Sequence, residues 1–268
     1  MDMALEWALA FIGLGAFAGF MAGLLGVGGG GIMVPLLTTI FLAMGLAPDN
    51  VVHLALGTSM ATIVTTSFSS MRAHHANGAV LWDIVRRMAP AVIAGTFLAT
   101  FIAAQIPSLY LAIFFALFMG YVSIQMFLNK KPSPSHKPAS SAELLGVGAG
   151  IGAISALVSI GGGSLTVPYL SWRNIDIKKA IGTSAAMGLP ISLAGACGYL
   201  LNHDADLATI PYTIGFVYWP AVLLMSVCSF FTAPLGAKLA HRLPVATLKK
   251  VFAILLMLLS LKMLTALL

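Results

Sequence analysis

The chain has 268 residues, of which 59% are hydrophobic and only 8% are charged. Soluble domains carry about 25% charged residues, so this composition excludes an ordinary soluble domain and favours several membrane spans. The formal net charge of +6 lies in short basic segments between apolar stretches, which is typical of membrane-orientation signals. We therefore predict that the chain lies in a lipid bilayer and has no nucleic-acid partner.

Apolar stretches follow one another along the whole chain. They run over residues 7–45, 54–71, 88–104, 109–128, 144–171, 180–200, 211–236 and 251–268. One helix needs about 20 apolar residues to cross a bilayer. Most of the stretches are therefore predicted to cross once, whereas stretches 7–45 and 144–171 do not fit a single crossing.

The charge of the connecting loops indicates what the two exceptional stretches do. The Lys and Arg clusters occupy loops 72–87, 130–137, 173–179 and 238–250, and no Lys or Arg occurs in loops 46–53, 105–108 and 201–210. The positive-inside rule places the basic loops in the cytoplasm. Stretch 7–45 then begins and ends outside and stretch 144–171 begins and ends inside, so each is predicted to be a helical hairpin. The sequence leaves open whether the hairpin arms are re-entrant or cross fully.

Each half of the chain then consists of a Gly-rich hairpin followed by three spans. Because a hairpin does not change sides and three spans do, the second half is predicted to be inverted relative to the first. The predicted fold is an all-α polytopic membrane protein with an inverted-topology repeat. Residues 1–128 form the first repeat, 129–143 a polar cytoplasmic linker and 144–268 the second repeat. The N-terminus is predicted to lie outside, and the sequence predicts no particular oligomeric state.

The two predicted hairpins share a glycine–proline motif at their centres. Gly28-Gly29-Gly30-Gly31 with Pro35 corresponds to Gly161-Gly162-Gly163-Ser164 with Pro168, and Gly57-Thr58-Ser59 and Gly182-Thr183-Ser184 follow in the same order. Glycine in a helix interior costs about 1 kcal/mol relative to alanine. A glycine run at corresponding points of two apolar halves therefore indicates duplication and a transport site.

A glycine turn at membrane depth frees backbone N–H groups, and the helix that follows presents its positive dipole end to them. Irregular backbone is tolerated in a bilayer only where it faces protein or a water-filled cavity. We expect the two turns to face each other near the midplane and to form an oxyanion site. Pro35 and Pro168 are expected early in the following helices, where a missing N–H costs little. The alternative is that the turns only close tight hairpins.

Hydroxyl side chains are the second set of predicted donors. Thr58, Ser59, Thr183 and Ser184 can bind an anion without adding a buried charge, although Ser and Thr often bond to their own helix instead. The second turn also contains Ser164 and Thr166, which have no hydroxyl counterparts in the first turn. The second half is therefore expected to supply more side-chain donors.

Glycines spaced by four residues precede both turns. Gly15, Gly19 and Gly23 lie in the first stretch, and Gly148 and Gly152 repeat the first pair. Small residues at this spacing let helix backbones approach closely. We interpret these glycines as helix-packing positions.

No enzyme motif accompanies these features. Gly26-Val27-Gly28-Gly29-Gly30-Gly31 matches the dinucleotide-binding pattern, but it lies in an apolar stretch and lacks the required strand–helix context. The sequence holds no HExxH motif and no nucleophile elbow, and every Asp and Glu falls in or next to a loop. We therefore predict no enzyme activity, no metal and no cofactor.

The duplicated glycine–proline segments and the Gly-Thr-Ser that follows each resemble the sulfite exporter TauE/SafE family of membrane permeases, over nearly the whole chain. This resemblance implies transport of sulfite, sulfoacetate or a related organosulfonate across the cytoplasmic membrane of a bacterium or archaeon. Ser164 departs from the fourth glycine of the first motif, so unequal roles are expected for the two turns. The predicted substrate-binding residues are Gly28, Gly29, Gly30, Gly31, Pro35, Thr58, Ser59, Gly161, Gly162, Gly163, Ser164, Pro168, Thr183 and Ser184.

Three functions are compatible with these features of the sequence. Moving one negative charge outward across an inside-negative membrane releases about 2.3 kcal/mol per 100 mV, which favours an exporter that moves a small anion by alternating access. The first alternative is an importer of a sulfonate or sulfate coupled to Na⁺ or H⁺. The second is a membrane assembly factor that transports nothing.

Overall fold

The computed structural model describes residues 5–26, 28–128, 140–202, 207–240, 242 and 245–267. Most of the predicted polar linker, residues 129–139, lies outside the described residues, as do the first four residues of the chain. The predictions for the linker and for the side on which the N-terminus lies therefore stay predictions.

The described residues form ten α-helices and one short β-hairpin. The helices are α1 (Leu5–Leu25), α2 (Gly30–Ala43), α3 (Val51–Ala76), α4 (Trp82–Ala103), α5 (Ser108–Leu128), α6 (Ser141–Val158), α7 (Gly163–Trp172), α8 (Ile177–Leu201), α9 (Trp219–Ala240) and α10 (Val245–Leu267). Strands β1 (Thr213–Ile214) and β2 (Val217–Tyr218) pair antiparallel. The predicted all-α class is confirmed.

The order of elements in each half is the predicted one: a helical hairpin and then three helices. The arms of the hairpins are unequal, because α1 and α6 have 21 and 18 residues but α2 and α7 have only 14 and 10. At 1.5 Å per residue, α7 is about 15 Å long, about half the thickness of the hydrocarbon core. Within the part of the chain that the structure describes, seven helices, α1 and α6 among them, are long and apolar enough to cross a membrane. The return arms of the hairpins, α2 and α7, are therefore too short to count among these candidate spans, and whether they are re-entrant stays a prediction.

Stretch 211–236 differs from its prediction at its start. Residues 213–218 form the β-hairpin, which turns at Gly215 with φ 55°, and α9 begins only at Trp219. Apolar composition alone does not distinguish a short strand from the start of a helix. The apolar residues Phe216 and Val217 are nevertheless buried, which explains why this loop reads as part of a span.

Helices α3 and α8, which carry the two Gly-Thr-Ser segments, lie at the centre of the bundle. Within the apolar window of each helix, 83% of residues are buried for α3 and 67% for α8, against 33% for α4 and α5. The two central helices pack against each other. The outer helices expose large apolar side chains such as Leu98, Leu117 and Phe231. An apolar exterior around a more polar centre is what a lipid surrounding requires.

Each outer helix pair joins one helix from the first half of the chain to one helix from the second half. Helix α1 of the first half packs on α9 of the second, and α6 of the second half packs on α4 of the first. Gly15 and Gly19 lie directly against the backbone of α9, and Gly148 and Gly152 lie against α4. The predicted packing role of these glycines is confirmed.

Loops 46–53 and 105–108, which have no Lys or Arg, meet at one end of the molecule, which we call the uncharged end. There Nε2 of His53 donates to the carbonyl of Ala103 at 3.1 Å, Nδ1 lies 3.1 Å from Oγ of Ser108, and the ring centroid is 5.1 Å from that of Phe216. The opposite end, which we call the basic end, includes loops 72–87 and 173–179. Gly182, early in α8, touches the carbonyl of Ala79 there.

Candidate functional site

The two glycine turns touch each other through their backbones. A methyl group added at Gly28 would lie 2.7 Å from both Cα and N of Gly161, closer than non-bonded atoms approach. Both residues are buried. The sequence predicted that the turns face each other, and the structure brings these two residues into direct contact.

The backbone conformation of the two turns is duplicated. Helix α1 is followed by Gly26 at φ 67° and helix α6 by Ser159 at φ 48°, both left-handed. The N-caps of α2 and α7 are Gly29 at φ 85° and Gly162 at φ 78°. Because a residue with a Cβ is strained at these angles, glycine is required at both N-caps. Two helices thus begin beside the turn contact, and the first N–H groups of a helix have no partner within it.

The two motif prolines lie deeper in their helices than expected. Pro35 and Pro168 are each the sixth residue of their helix, counted from Gly30 and Gly163. At that position proline removes a regular hydrogen bond instead of a free N–H. The expectation of a costless early position was therefore wrong. The lost bond would have ended on the carbonyl four residues earlier, within the first turn of each helix.

The two threonines of the Gly-Thr-Ser segments each accept a hydrogen bond from a backbone N–H at the start of a helix in the other half of the chain. Oγ1 of Thr58 accepts a hydrogen bond from N–H of Tyr218 at 3.0 Å, and Oγ1 of Thr183 accepts one from N–H of Leu81 at 3.0 Å. Tyr218 directly precedes α9, and Leu81 is the N-cap of α4. These buried hydroxyls therefore have a structural partner, and their role as substrate ligands stays a prediction.

The two serines of the same segments point to the glycine turns. Oγ of Ser184 donates to the carbonyl of Gly26 at 3.0 Å, and Oγ of Ser59 lies 3.7 Å from Sδ of Met33. Both serines are fully buried. The structure thus places Ser184 against the first glycine turn and Ser59 against the side chain of Met33 in α2, and the role of both serines as substrate ligands stays a prediction.

The second turn carries buried hydroxyls that no protein group satisfies. Oγ of Ser155, Oγ of Ser164 and Oγ1 of Thr166 make no hydrogen bond within the described part of the chain. All three residues are 7% exposed or less. A buried hydroxyl without a partner costs about 1–3 kcal/mol, so each of these hydroxyls near the second turn is a candidate contact for a polar ligand. The sequence predicted extra donors in this turn but missed Ser155.

A small cavity lies beside the contact between the turns. Its volume is about 10 Å³, which is the room of roughly one water molecule. The predicted substrate, a sulfur oxyanion, is larger than one water molecule, so this cavity is too small to hold it. The cavity is lined by Ala22, Gly26, Gly28, Thr66, Ser67, Ser70, Gly161 and Ala185.

The hydroxyl residues of this cavity were missed by the sequence analysis. Thr66, Ser67 and Ser70 lie on α3, beyond its Gly-Thr-Ser segment, and each is at most 3% exposed. The sequence does contain a pattern that includes these residues, since five of the six residues 65–70 carry a hydroxyl within an apolar stretch. Ser and Thr can bond to carbonyls of their own helix, as Oγ1 of Thr65 does to the carbonyl of Thr62, so this run alone does not distinguish a cavity lining from helix packing.

Carboxylates lie away from this region. The Asp and Glu residues that the structure describes are Glu6, Asp49, Asp83, Glu143 and Asp176, each in a loop or near a helix end. Within the described residues, no group of three or more His, Cys, Asp or Glu side chains could hold a metal ion. The groups around the turns are thus backbone N–H groups and hydroxyls, which suit a small anion.

Comparisons with known proteins identify the family of this chain. The family model of the sulfite exporter TauE/SafE matches residues 11–263. A probable membrane transporter protein of Haemophilus influenzae is 36% identical over 93% of this chain and 95% of its own length. One from Methanocaldococcus jannaschii is 27% identical over 86% of this chain and 85% of its own. No solved structure matches the chain.

The matched segment contains all ten helices in whole or in part, both glycine turns and both Gly-Thr-Ser segments. The names of the family and of these relatives describe membrane transporters and not enzymes. The chain therefore belongs to the sulfite exporter TauE/SafE family and is a multi-pass membrane transporter.

Proposed function

We propose that the protein exports a small sulfur oxyanion, such as sulfite, sulfoacetate or a related organosulfonate, across the cytoplasmic membrane of a bacterium or archaeon. The name of the matching family supports this substrate class. The observation that carries the proposal is the meeting of two glycine turns beside buried hydroxyls without partners. Half-helix N-termini that meet at membrane depth are the usual recognition device for anionic groups in transporters.

The binding chemistry follows from the groups at the turns. The N-termini of α2 and α7 supply N–H donors and positive dipole ends, while Ser164 and Thr166 supply hydroxyl donors. Ser59 and Ser184 lie next to the turns and complete the set. A site of this kind binds negative charge without burying a Lys or Arg, which lets the anion leave again.

Alternating access follows from the exchange of contacts between the halves. We infer that the two halves are an inverted repeat, since α1 on α9 and α6 on α4 are the same contact with the halves exchanged. Rocking one repeat against the other separates the turns first toward one side and then toward the other. The positive-inside rule makes the basic end cytoplasmic, so the membrane potential drives an anion outward.

The direct test is flux of radiolabelled sulfite and sulfoacetate from proteoliposomes under an imposed membrane potential. We expect efflux that rises with the potential and needs no ion gradient. The double variant Ser164→Ala, Thr166→Val should lose about tenfold or more in apparent affinity, because a hydrogen bond to a charged group contributes about 1.5–3 kcal/mol. Uptake that collapses when a Na⁺ or H⁺ gradient is removed would instead establish the importer.

The matched control is Thr38→Val in α2. Thr38 is also fully buried, but its hydroxyl donates to the carbonyl of Val34 in its own helix at 2.9 Å. This variant should leave flux unchanged. Absence of flux, together with no thermal stabilisation by any oxyanion, would contradict transport and favour an assembly factor.

A further inference from the structure

The cavity beside the glycine turns lies on the side of their contact that faces the C-terminal half of α3. Ile63 of α3 packs on Gly28 at the level of the contact. Thr66, Ser67 and Ser70, which line the cavity, follow Ile63 along α3 toward its C-terminal end at Ala76. The cavity therefore lies between the turn contact and the basic end.

The corresponding place on the other side of the contact is filled. Because Gly57 corresponds to Gly182, the counterparts of Thr66 and Ser70 in α8 are Ile191 and Gly195. The counterpart of the cavity residue Ala185 is Met60, and a methyl group added at Gly195 would lie 2.9 Å from Sδ of Met60. A methionine side chain thus occupies on the uncharged side the space that remains open on the basic side.

Two hydrogen bonds at corresponding positions of the two halves lie on opposite sides of the contact between the glycine turns. Nε2 of His74 donates to the carbonyl of Gly23 at 3.1 Å, since a carbonyl can only accept. At the corresponding positions of the second half, the hydroxyl of Tyr199 donates to the carbonyl of Ala156 at 2.9 Å. Each bond joins the end of a hairpin arm, just before its glycine turn, to the central helix of the same half.

His74 lies one helical turn beyond Ser70, on the same face of α3. It is 1% exposed, and its partner Gly23 is next to the cavity residue Ala22 on α1. The bond between His74 and Gly23 therefore lies between the cavity and the basic end. An anion that comes from this end meets His74 first, the hydroxyls of α3 next and the glycine turns last.

We propose that Thr66, Ser67 and Ser70 form a loading subsite that receives the oxyanion from the basic end, and that His74 is the positioning residue that closes this subsite. The proposal rests on the proposed function for the nature of the substrate and for the cytoplasmic location of the basic end. Its chemistry is that of the turns, namely hydroxyl groups with no buried Lys or Arg. Oγ1 of Thr66 bonds to Oγ of Ser229 at 2.8 Å and to the carbonyl of Thr62 at 3.2 Å, so Thr66 lines the subsite and Ser70 carries the donor. Oγ of Ser70 is 2% exposed and makes no hydrogen bond within the described residues, so it has a donor to offer.

The unequal walls give the transporter a direction of loading. The basic side offers room beside Thr66, Ser67 and Ser70. The corresponding positions of α8 are Ile191, Ser192 and Gly195, and those of Ala22 and Gly26 are Ser155 and Ser159, so the uncharged side also has hydroxyls. The two sides differ in the space that the Met60 side chain fills and in the helix that carries most of the hydroxyls. The exposed Arg72 and Arg86 near the basic end attract anions toward this entrance. Loading requires the end of α1 to move away from α3, because the present cavity holds about one water molecule.

The test uses cysteine accessibility in the full-length protein. Native Cys197 and Cys228 are first replaced by serine, and Ser70→Cys is added. An anionic, membrane-impermeant methanethiosulfonate is applied to right-side-out spheroplasts and to inside-out vesicles. We expect labelling from the basic face only, and we expect sulfoacetate, which does not react with thiols, to slow it. The control is Ser192→Cys on α8, which corresponds to Ser67 and bonds to its own helix, and which should stay unlabelled from that face.

The closing role of His74 is read from the labelling rate. His74→Ala should speed the labelling of Ser70→Cys about fivefold, because the variant loses one hydrogen bond with a net contribution of about 1 kcal/mol. His74→Gln should keep the slow rate, because its amide can donate to the carbonyl of Gly23. Tyr199→Phe, the matched change on the other side, should leave the rate unchanged. Equal rates in the three His74 forms would overturn its closing role.

The outcomes separate this proposal from the proposed function. Flux of sulfoacetate together with Ser70→Cys labelling that is absent, or that sulfoacetate does not slow, would overturn the loading subsite and leave export intact. Labelling from the basic face that sulfoacetate slows, in a protein without flux, would support the subsite as a binding site and overturn export. Labelling from the uncharged face alone would overturn the direction of loading.

Discussion

Thr183 on α8 accepts a hydrogen bond from the backbone N–H of Leu81, the N-cap of α4, at 3.0 Å. Thr58 on α3 does the same for Tyr218, which precedes α9. Neither leucine nor tyrosine at that position offers a capping oxygen close to the backbone. Each threonine therefore stabilises a helix start in the other half of the chain, as the side chain of a capping box does within one helix.

Removing either of these hydroxyls should destabilise the fold. Thr58→Val and Thr183→Val keep the side-chain shape but leave a buried N–H without a partner, which costs about 1–3 kcal/mol. Thr→Ser at the same positions should retain most of the stability. Unfolding of the purified protein in detergent measures the difference.

The control for this prediction is again Thr38→Val. Its hydroxyl bonds to a carbonyl of its own helix, so its loss leaves no unpaired donor and should change stability little. Equal losses in Thr38→Val and Thr183→Val would show that the bond between the halves contributes nothing.

The contact between the two turns can be measured by comparing two glycines. Gly28 and Gly78 both have positive φ, 80° and 66°, but a methyl group at Gly78 would meet nothing within 4 Å. Gly78→Ala should therefore cost only the backbone strain, about 1–2 kcal/mol. Gly28→Ala adds a collision with Gly161 and should cost clearly more and abolish flux. Thermal unfolding and flux of the two variants, measured side by side, decide this point.

The second hairpin is closed near the basic end by an ion pair. Arg173, after α7, pairs with Glu143 at the start of α6, and the hydroxyl of Tyr169 donates to the same carboxylate at 3.0 Å. The Arg173 side chain is 9% exposed. Glu143→Gln should therefore destabilise the protein by about 1–3 kcal/mol, since it leaves a mostly buried cation with a weaker partner.

An exposed pair provides the comparison. Arg87 and Asp83 lie 3.1 Å apart with side chains 51% and 73% exposed, and pairs of this kind contribute less than about 1 kcal/mol. Asp83→Asn should thus leave the midpoint of unfolding nearly unchanged. If Asp83→Asn and Glu143→Gln shift it equally, burial of the hairpin pair has no effect.

The predicted orientation can be tested with reporter fusions. Alkaline phosphatase, which is active only outside the cytoplasm, should be active when fused within residues 203–206 and inactive within residues 130–137. Green fluorescent protein should give the opposite result. The physical reason is the clustering of Lys and Arg in loops 72–87 and 173–179, with none in loops 46–53 and 105–108. Phosphatase activity at both sites would contradict the inverted arrangement.

Several features of the site were predictable from the sequence because they are local or duplicated. The glycine turns follow from the cost of glycine in an apolar helix, and Gly28 and Gly161 do meet. The extra donors of the second turn follow from Ser164 and Thr166, which have no counterparts in the first. Position within a helix was harder to predict, and Pro35 and Pro168 lie deeper than expected.

Hydrogen-bond partners that lie far apart in the chain could not be predicted from the sequence. Thr58 and Thr183 were expected to serve a ligand, but each binds a backbone N–H more than 100 residues away. The role of a hydroxyl depends on which group lies opposite, and only packing of the halves decides that. Ser70 was missed for the same reason, since its importance comes from a cavity that other helices complete.

The sequence by itself determined the membrane class, the order of hairpins and helices, and the duplicated turns, because apolar length, glycine cost and loop charge are local properties. Only the tertiary structure decided that the turns touch, that the return arms are short, and that the cavity opens on the side of Ser70 and not on the side of Met60. These features depend on how α3 and α8 pack against each other. Two halves with the same motif can therefore form a site whose two sides differ, with open space beside Ser70 and the Met60 side chain on the other side.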